Sequence, residues 1–161
     1  MTSDQDTFRR PAESPMEHSR RADGDADPAT GAPCLAEAVH SEHAIQRQLL
    51  RALAAVVAEA RDTSEFLQAL ADFSQRHFER EERAMARHRY PDGPAHCAEH
   101  RRLQDEIECL QALAASDKPV GDALVRFAAA LQSHVEGADA SLLAHVAGHA
   151  GRTASGGGPS A

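Results

Sequence analysis

Tryptophan is absent from this chain, tyrosine occurs once and phenylalanine five times. A core of stacked aromatics is thereby excluded, so burial must come from aliphatic side chains. Long apolar runs are missing too, and no stretch approaches the ~20 residues that a bilayer-crossing helix needs. The opening MTSDQDTFRRPAESPMEH has no apolar segment of the kind a secretory leader carries. Cysteine is scarce: Cys34, Cys97 and Cys109 form no CxxC pair and are odd in number. That argues against a disulfide framework and leads to the expectation of a cytoplasmic protein. Positive charge is also in deficit. A formal net charge of −8 speaks against a nucleic-acid partner, as the lack of apolar runs does against a membrane.

What is abundant is alanine and leucine, which favour helix, and histidine, with ten copies. A length of 161 residues suggests one domain. Residues 1–32 hold seven acidic residues, four arginines and three prolines with almost no apolar periodicity, and are expected to form a disordered acidic tail. The Gly/Ser-rich stretch 150–161 is expected to be flexible. The folded part is then 33–149.

Four helices are predicted within it. The first begins near Pro33 and runs to about Ala60, with Leu35, Val39, Leu50, Leu53 and Val57 in one stripe and His43 beside it. Asp62-Thr63-Ser64-Glu65 is a helix-start signal with an acidic residue three on. The second helix then presents Phe66, Leu70, Phe73, His77, Glu81 and Met85 inward. Tyr90-Pro91-Asp92-Gly93-Pro94 breaks it. The third carries His96, His100, Leu103, Ile107 and Leu110 on one seam. After Ser116-Asp117-Lys118-Pro119, the fourth carries Leu124, Phe127, Leu131, His134, Ala138, Asp139 and Leu142. Short connections imply an all-α, up-down-up-down antiparallel four-helix bundle.

Each apolar stripe is interrupted by metal-ligand residue types: His43; His77 and Glu81; His96 and His100; His134 and Asp139. Residues four apart on a helix share a face. Any one of these histidines alone reads best as an ordinary core or surface residue. Seven unpaired ionisable groups in one interior would cost several kcal/mol or more each. A bound cation removes that cost. Imidazole suits iron, copper, nickel or zinc, carboxylates bridge, and seven ligands exceed what one ion takes. His40 competes with His43 but lies off the stripe. His18, His88, His145 and His149 fit no ligand slot and are expected at the surface, His145 and His149 being spaced to catch adventitious metal. Glu82 is expected on a solvated face, Cys97 and Cys109 as small packing residues, and Gly137 as clearance for close packing.

The order His43, His77-x-x-x-Glu81, His96-x-x-x-His100, His134-x-x-x-x-Asp139 resembles hemerythrin. The strings HFEREERAM and YP before the His96 pair resemble bacterial hemerythrins in particular. The resemblance covers about residues 35–148. It implies two non-haem iron ions with an oxo or hydroxo bridge. His96, His100 and His134 would hold one and His43 and His77 the other, with Glu81 and Asp139 bridging. Dioxygen would bind at the open position of the second ion, in a pocket with Gln46, Phe78, Leu131 and Glu136. The function so implied is oxygen storage, delivery or sensing without catalytic turnover. Peroxide or nitric oxide are further small ligands, and an unidentified protein partner would be needed for sensing. The alternative is a peroxidase-like or redox-sensing di-iron protein.

Three positions depart from the family pattern. His40 stands where an Asp is usual, Gln46 where a Leu is usual, and Glu136 where an apolar residue is usual. On an ideal helix Glu136 lies only about 60° from Asp139, within reach of the pocket. Polar Gln46 and Glu136 beside the open iron would admit water and protons. The expectation is faster autoxidation and a lean toward redox chemistry.

Overall fold

The computed structural model describes residues 32–155. The expectations for the acidic tail, including His18, lie outside the described residues, as does the side chain of Cys34. Among the described residues the only regular elements are helices, with no strands: α1 (Ala32–Ala58), α2 (Ser64–His88), α3 (Gly93–Ala115), α4 (Gly121–His134) and α5 (Ala140–Ser155). A π-helical turn, Val135–Asp139, joins α4 to α5, so the two form one rod and the molecule is a four-helix bundle. The last helix runs on to Ser155, past the point where the Gly/Ser-rich stretch was expected to end it.

The connections follow from local chemistry. Asp62 Oδ1 accepts from the Ser64 amide at 3.0 Å and the Ser64 hydroxyl at 2.7 Å, which satisfies an unbonded N–H at the start of α2. Those two donors hold the Asp62 carboxyl below its ordinary pKa. At the other end Arg89 turns left-handed (φ 50°) and the Tyr90 amide reaches back to the Met85 carbonyl at 2.9 Å. Pro94 in the first turn of α3 then forbids any continuation of α2.

The core has two apolar layers. The larger holds Leu53, Leu67, Leu70, Leu103, Ile107 and Phe127 among others; the smaller holds Leu35, Val39, Met85, Leu142 and Val146. On α1, on α2 and on the rod formed by α4 and α5 the polar residues of interest fall between the two, and on α3 His96 and His100 precede the larger layer. The inward face of α2 is Leu67, Leu70, Ser74, His77, Phe78, Glu81 and Met85. Phe66 and Phe73, expected inward, are only half-buried because the true face is turned about one residue toward Leu67 and Ser74.

Candidate metal centre

All four rods deliver side chains to one buried layer. His43 from α1, His77 and Glu81 from α2, His96 and His100 from α3, His134 from α4 and Asp139 from the π turn are each at most 3 % exposed. Their ligand-type atoms fall into two groups within 4.8 Å. One comprises His96, His100, His134, Glu81 and Asp139; the other comprises His43, His77, Glu81 and Asp139. The two carboxylates belong to both.

The oxygens are divided between the groups. Asp139 Oδ1 lies 3.1 Å from His96 Nε2 and 3.0 Å from His134 Nε2, while Oδ2 lies 3.0 Å from His43 Nε2. Glu81 Oε2 faces His100 Nε2 at 3.2 Å and His96 Nε2 at 3.6 Å, while Oε1 faces His77 Nε2 at 3.7 Å. Each carboxylate thus offers one oxygen to the three-histidine set and one to the two-histidine set.

The other ring nitrogens explain why these contacts need a cation. His77 Nδ1 meets Glu42 Oε2 at 2.9 Å, His100 Nδ1 meets Glu82 Oε1 at 3.1 Å, and His134 Nδ1 meets Glu99 Oε2 at 2.8 Å. A carboxylate on Nδ1 fixes the proton there and leaves a lone pair on Nε2. The Nε2 lone pairs of His77, His100 and His134 then face carboxylate oxygens, acceptor against acceptor. The Nε2 atoms of all five histidines and both oxygens of Glu81 and Asp139 are buried without a hydrogen-bond partner. Positive charge between them resolves the conflict, and imidazole with carboxylate is a donor set for a transition-metal ion.

The proton affinities show the same demand. Burial alone would raise the Asp139 pKa, but the imidazoles of His134, His43 and His96 outweigh it and hold the group below the carboxylate range. Glu81 is lowered likewise, with burial overcome by His100 and His96. His96 is pushed up to about 9, its burial overcome by Asp139 and Glu81. His134 is raised by Asp139 and Glu99 against its burial. His77 goes the other way, lowered because burial outweighs the pull of Glu81 and Asp139.

The structure brings all seven expected residues together and leaves His40 exposed. Several expectations are corrected. Glu82 does not sit idle on a solvated face, since it buttresses His100. Glu42 and Glu99 were missed altogether, although each precedes a site residue by one position. The pattern is a relay around the bundle: α1 Glu42 supports α2 His77, α2 Glu82 supports α3 His100, and α3 Glu99 supports α4 His134. Arg80 pairs with Glu42 in turn. Gly137 is not a packing clearance, because a Cβ there would meet nothing within 4 Å. It lies in the π turn, where its carbonyl accepts from the Ser141 hydroxyl at 2.8 Å. His88, His145 and His149 are half-buried rather than surface residues. His145 Nε2 donates to the His88 carbonyl at 3.1 Å and His149 Nδ1 to the His145 carbonyl at 3.3 Å, with the two ring centroids 4.4 Å apart. Cys97 packs on the smaller core layer, whereas Cys109 is exposed.

A cavity of about 420 Å³ lies between α1 and α4 beside His43. Gln46 and Leu131 line it, and Glu136 stands exposed at its rim, taken by Gln132 Nε2 at 2.8 Å. Phe78 does not line it. Its ring stacks on His100 with centroids 4.2 Å apart and planes 17° apart. Gln46 is buried at 1 % exposure, its Nε2 only 3.4 Å from Ser74 Oγ and its Oε1 without a partner.

Fold and site together define a four-helix bundle with a buried, two-centred donor set for metal. The chain matches the family model of the Hemerythrin HHE cation binding domain over residues 34–146, and it belongs to the hemerythrin family. Comparison with curated proteins and with solved structures gives no match. No described helix is long and apolar enough to cross a membrane.

Proposed function

We propose that this protein holds two non-haem iron ions and binds dioxygen reversibly for storage, delivery or sensing. The observation that supports this reading is the division of donors: three histidines on one side, two on the other, and two carboxylates with an oxygen for each. His96, His100 and His134 would hold one ion and His43 and His77 the second, with Glu81 and Asp139 each offering one oxygen to either side. A ferrous pair supplies the two electrons that dioxygen binding draws on.

The protein's own contribution is orientation and exclusion. Glu42, Glu82 and Glu99 keep three imidazoles in the tautomer that aims Nε2 inward. The apolar layers on either side keep bulk water from the buried carboxylates. The side with fewer histidines is the one beside the cavity, so a small ligand reaches it along Leu131 and Gln46. The test is optical: the purified iron-loaded protein cycled between air and anaerobiosis should change colour reversibly over many cycles. Rapid bleaching with sustained peroxide consumption in the presence of a reductant would instead establish a peroxidase-like enzyme. The buried amide of Gln46 favours that second reading, because it places a polar group where an aliphatic wall would protect the oxygenated form.

A further inference from the structure

The cavity beside His43 is far larger than dioxygen requires. A water molecule takes roughly 30 Å³ in the liquid, and pockets for small organic ligands run from ~300 to 1,000 Å³. This one measures about 420 Å³. Its walls are of two kinds. Leu50, Ala128, Leu131 and Val135 form an apolar length, and Arg47 and Arg51 stand on one edge. The two arginines are four apart on α1, so their side chains emerge on one face. Both are exposed, and neither forms an ion pair among the described residues. Their planar guanidinium forks match carboxylate geometry. Near His43 is the unpartnered Oε1 of Gln46, a buried polar atom on the cavity wall.

We propose that this cavity is a binding site for a small amphipathic organic acid. The ligand's carboxylate sits on Arg47 and Arg51, and its hydrocarbon body lies along Leu50, Ala128, Leu131 and Val135. Its inner end reaches Gln46, whose amide recognises a hydroxyl or similar polar group there. The proposal goes beyond dioxygen binding and does not depend on it, since none of these contacts is made by a metal. Such an acid would cover the approach to the His43 side of the centre and couple its occupancy to the acid's concentration.

The probe is hexanoate, titrated calorimetrically into the purified protein with metal content measured on the same sample. Hexanoate should bind, acetate and hexanol each at least tenfold more weakly, since each lacks one half of the recognition. Arg47→Gln with Arg51→Gln should weaken hexanoate at least tenfold without altering metal content, while Arg76→Gln, remote from the cavity, should change nothing. Ala128→Phe, which fills the cavity through its apolar wall, should abolish binding. The ω-hydroxy derivative of hexanoate should bind more tightly than hexanoate, and Gln46→Leu should erase that difference. The proposal is overturned if hexanoate does not bind at millimolar concentration, if acetate or hexanol binds as well, or if the double arginine variant retains full affinity. A sample that lacks two irons yet binds hexanoate would count against the iron reading and leave this one standing.

Discussion

At the scale of single residues, the centre depends on groups that never touch a metal. Glu42, Glu82 and Glu99 hold imidazoles by Nδ1, and removal of such a partner typically costs 10- to 100-fold in metal affinity. Glu42→Gln and Glu99→Gln are therefore expected to weaken iron binding by about 10- to 100-fold each, with folding intact, as read by competition with a chelator. Unchanged affinity would show that the imidazoles hold their tautomers without help. Gln46 and Glu136 separate by the same logic. Gln46 is buried by the cavity, whereas Glu136 is exposed and occupied by Gln132. Gln46→Leu alone should lengthen the life of the oxygenated form in air, and Glu136→Leu should do little. Equal lifetimes for wild type and Gln46→Leu, followed by absorbance decay, would dispose of the idea that Gln46 sets the autoxidation rate.

Protons compete with metal for these atoms. In the metal-free protein His96 has its pKa raised from 6.5 to about 9, so it is protonated at neutral pH. A raised folded-state pKa gives stability that is fully present below 6.5 and disappears as pH rises through about 9. Asp139 has the opposite sign: its depressed pKa gives stability present above 3.8 and lost only in strong acid. The metal-free fold should thus lose this His96 contribution between neutrality and pH 9, while metal uptake at neutral pH should release protons. A pH-stat titration checks this; uptake without acidification would contradict it.

At the scale of elements, the π turn decides where Asp139 points. On a regular α-helix a residue five along from His134 lies about 140° round the axis, too far to share its site. Val135–Asp139 winds more slowly, bonding five residues apart, and brings Asp139 back beside His134 Nε2. The turn acts as one inserted residue, and this yields a prediction. Deleting Gly137 should restore plain α-helix and keep Leu142 and Val146 facing the core. Deleting the equally exposed Ala129 from α4 should swing everything after it by about 100°. Thermal melts should show a far smaller loss for the Gly137 deletion. Comparable losses would mean the turn is not a tolerated insertion.

The π turn also marks the limit of what the sequence discloses. His77 with Glu81 and His96 with His100 are legible because four-residue spacing and helical period coincide, so one face is named without neighbours. Asp139 is legible as an inward residue of the fourth helix together with Leu142, but its five-residue offset from His134 is reconciled with a shared site only by the π turn, which the sequence does not announce. Glu42, Glu82 and Glu99 are not legible, because each serves a histidine on the next helix, and which surfaces meet is fixed only by packing. The face of α2 was misjudged for a related reason: Phe66 and Phe73 are the larger side chains, but the bundle needs the slimmer Leu67 and Ser74 at the contact.

For the whole molecule, the number and order of the helices follow from apolar period and breaking residues, and the structure agrees with both. Two apolar layers hold the polar one between them, so the fold must bury seven ionisable groups, their inward nitrogens and oxygens left without hydrogen-bond partners. Metal bound in that layer would add its binding energy to the stability of the fold. We propose that the layer is built for two ions and not one. Ferrous iron titrated anaerobically into the metal-free chain, followed by admission of air, tests it most directly. Saturation is expected at two irons per chain, with an oxygen-dependent absorption band that vanishes when oxygen is removed. Saturation at one metal per chain, with no band in air, would contradict it.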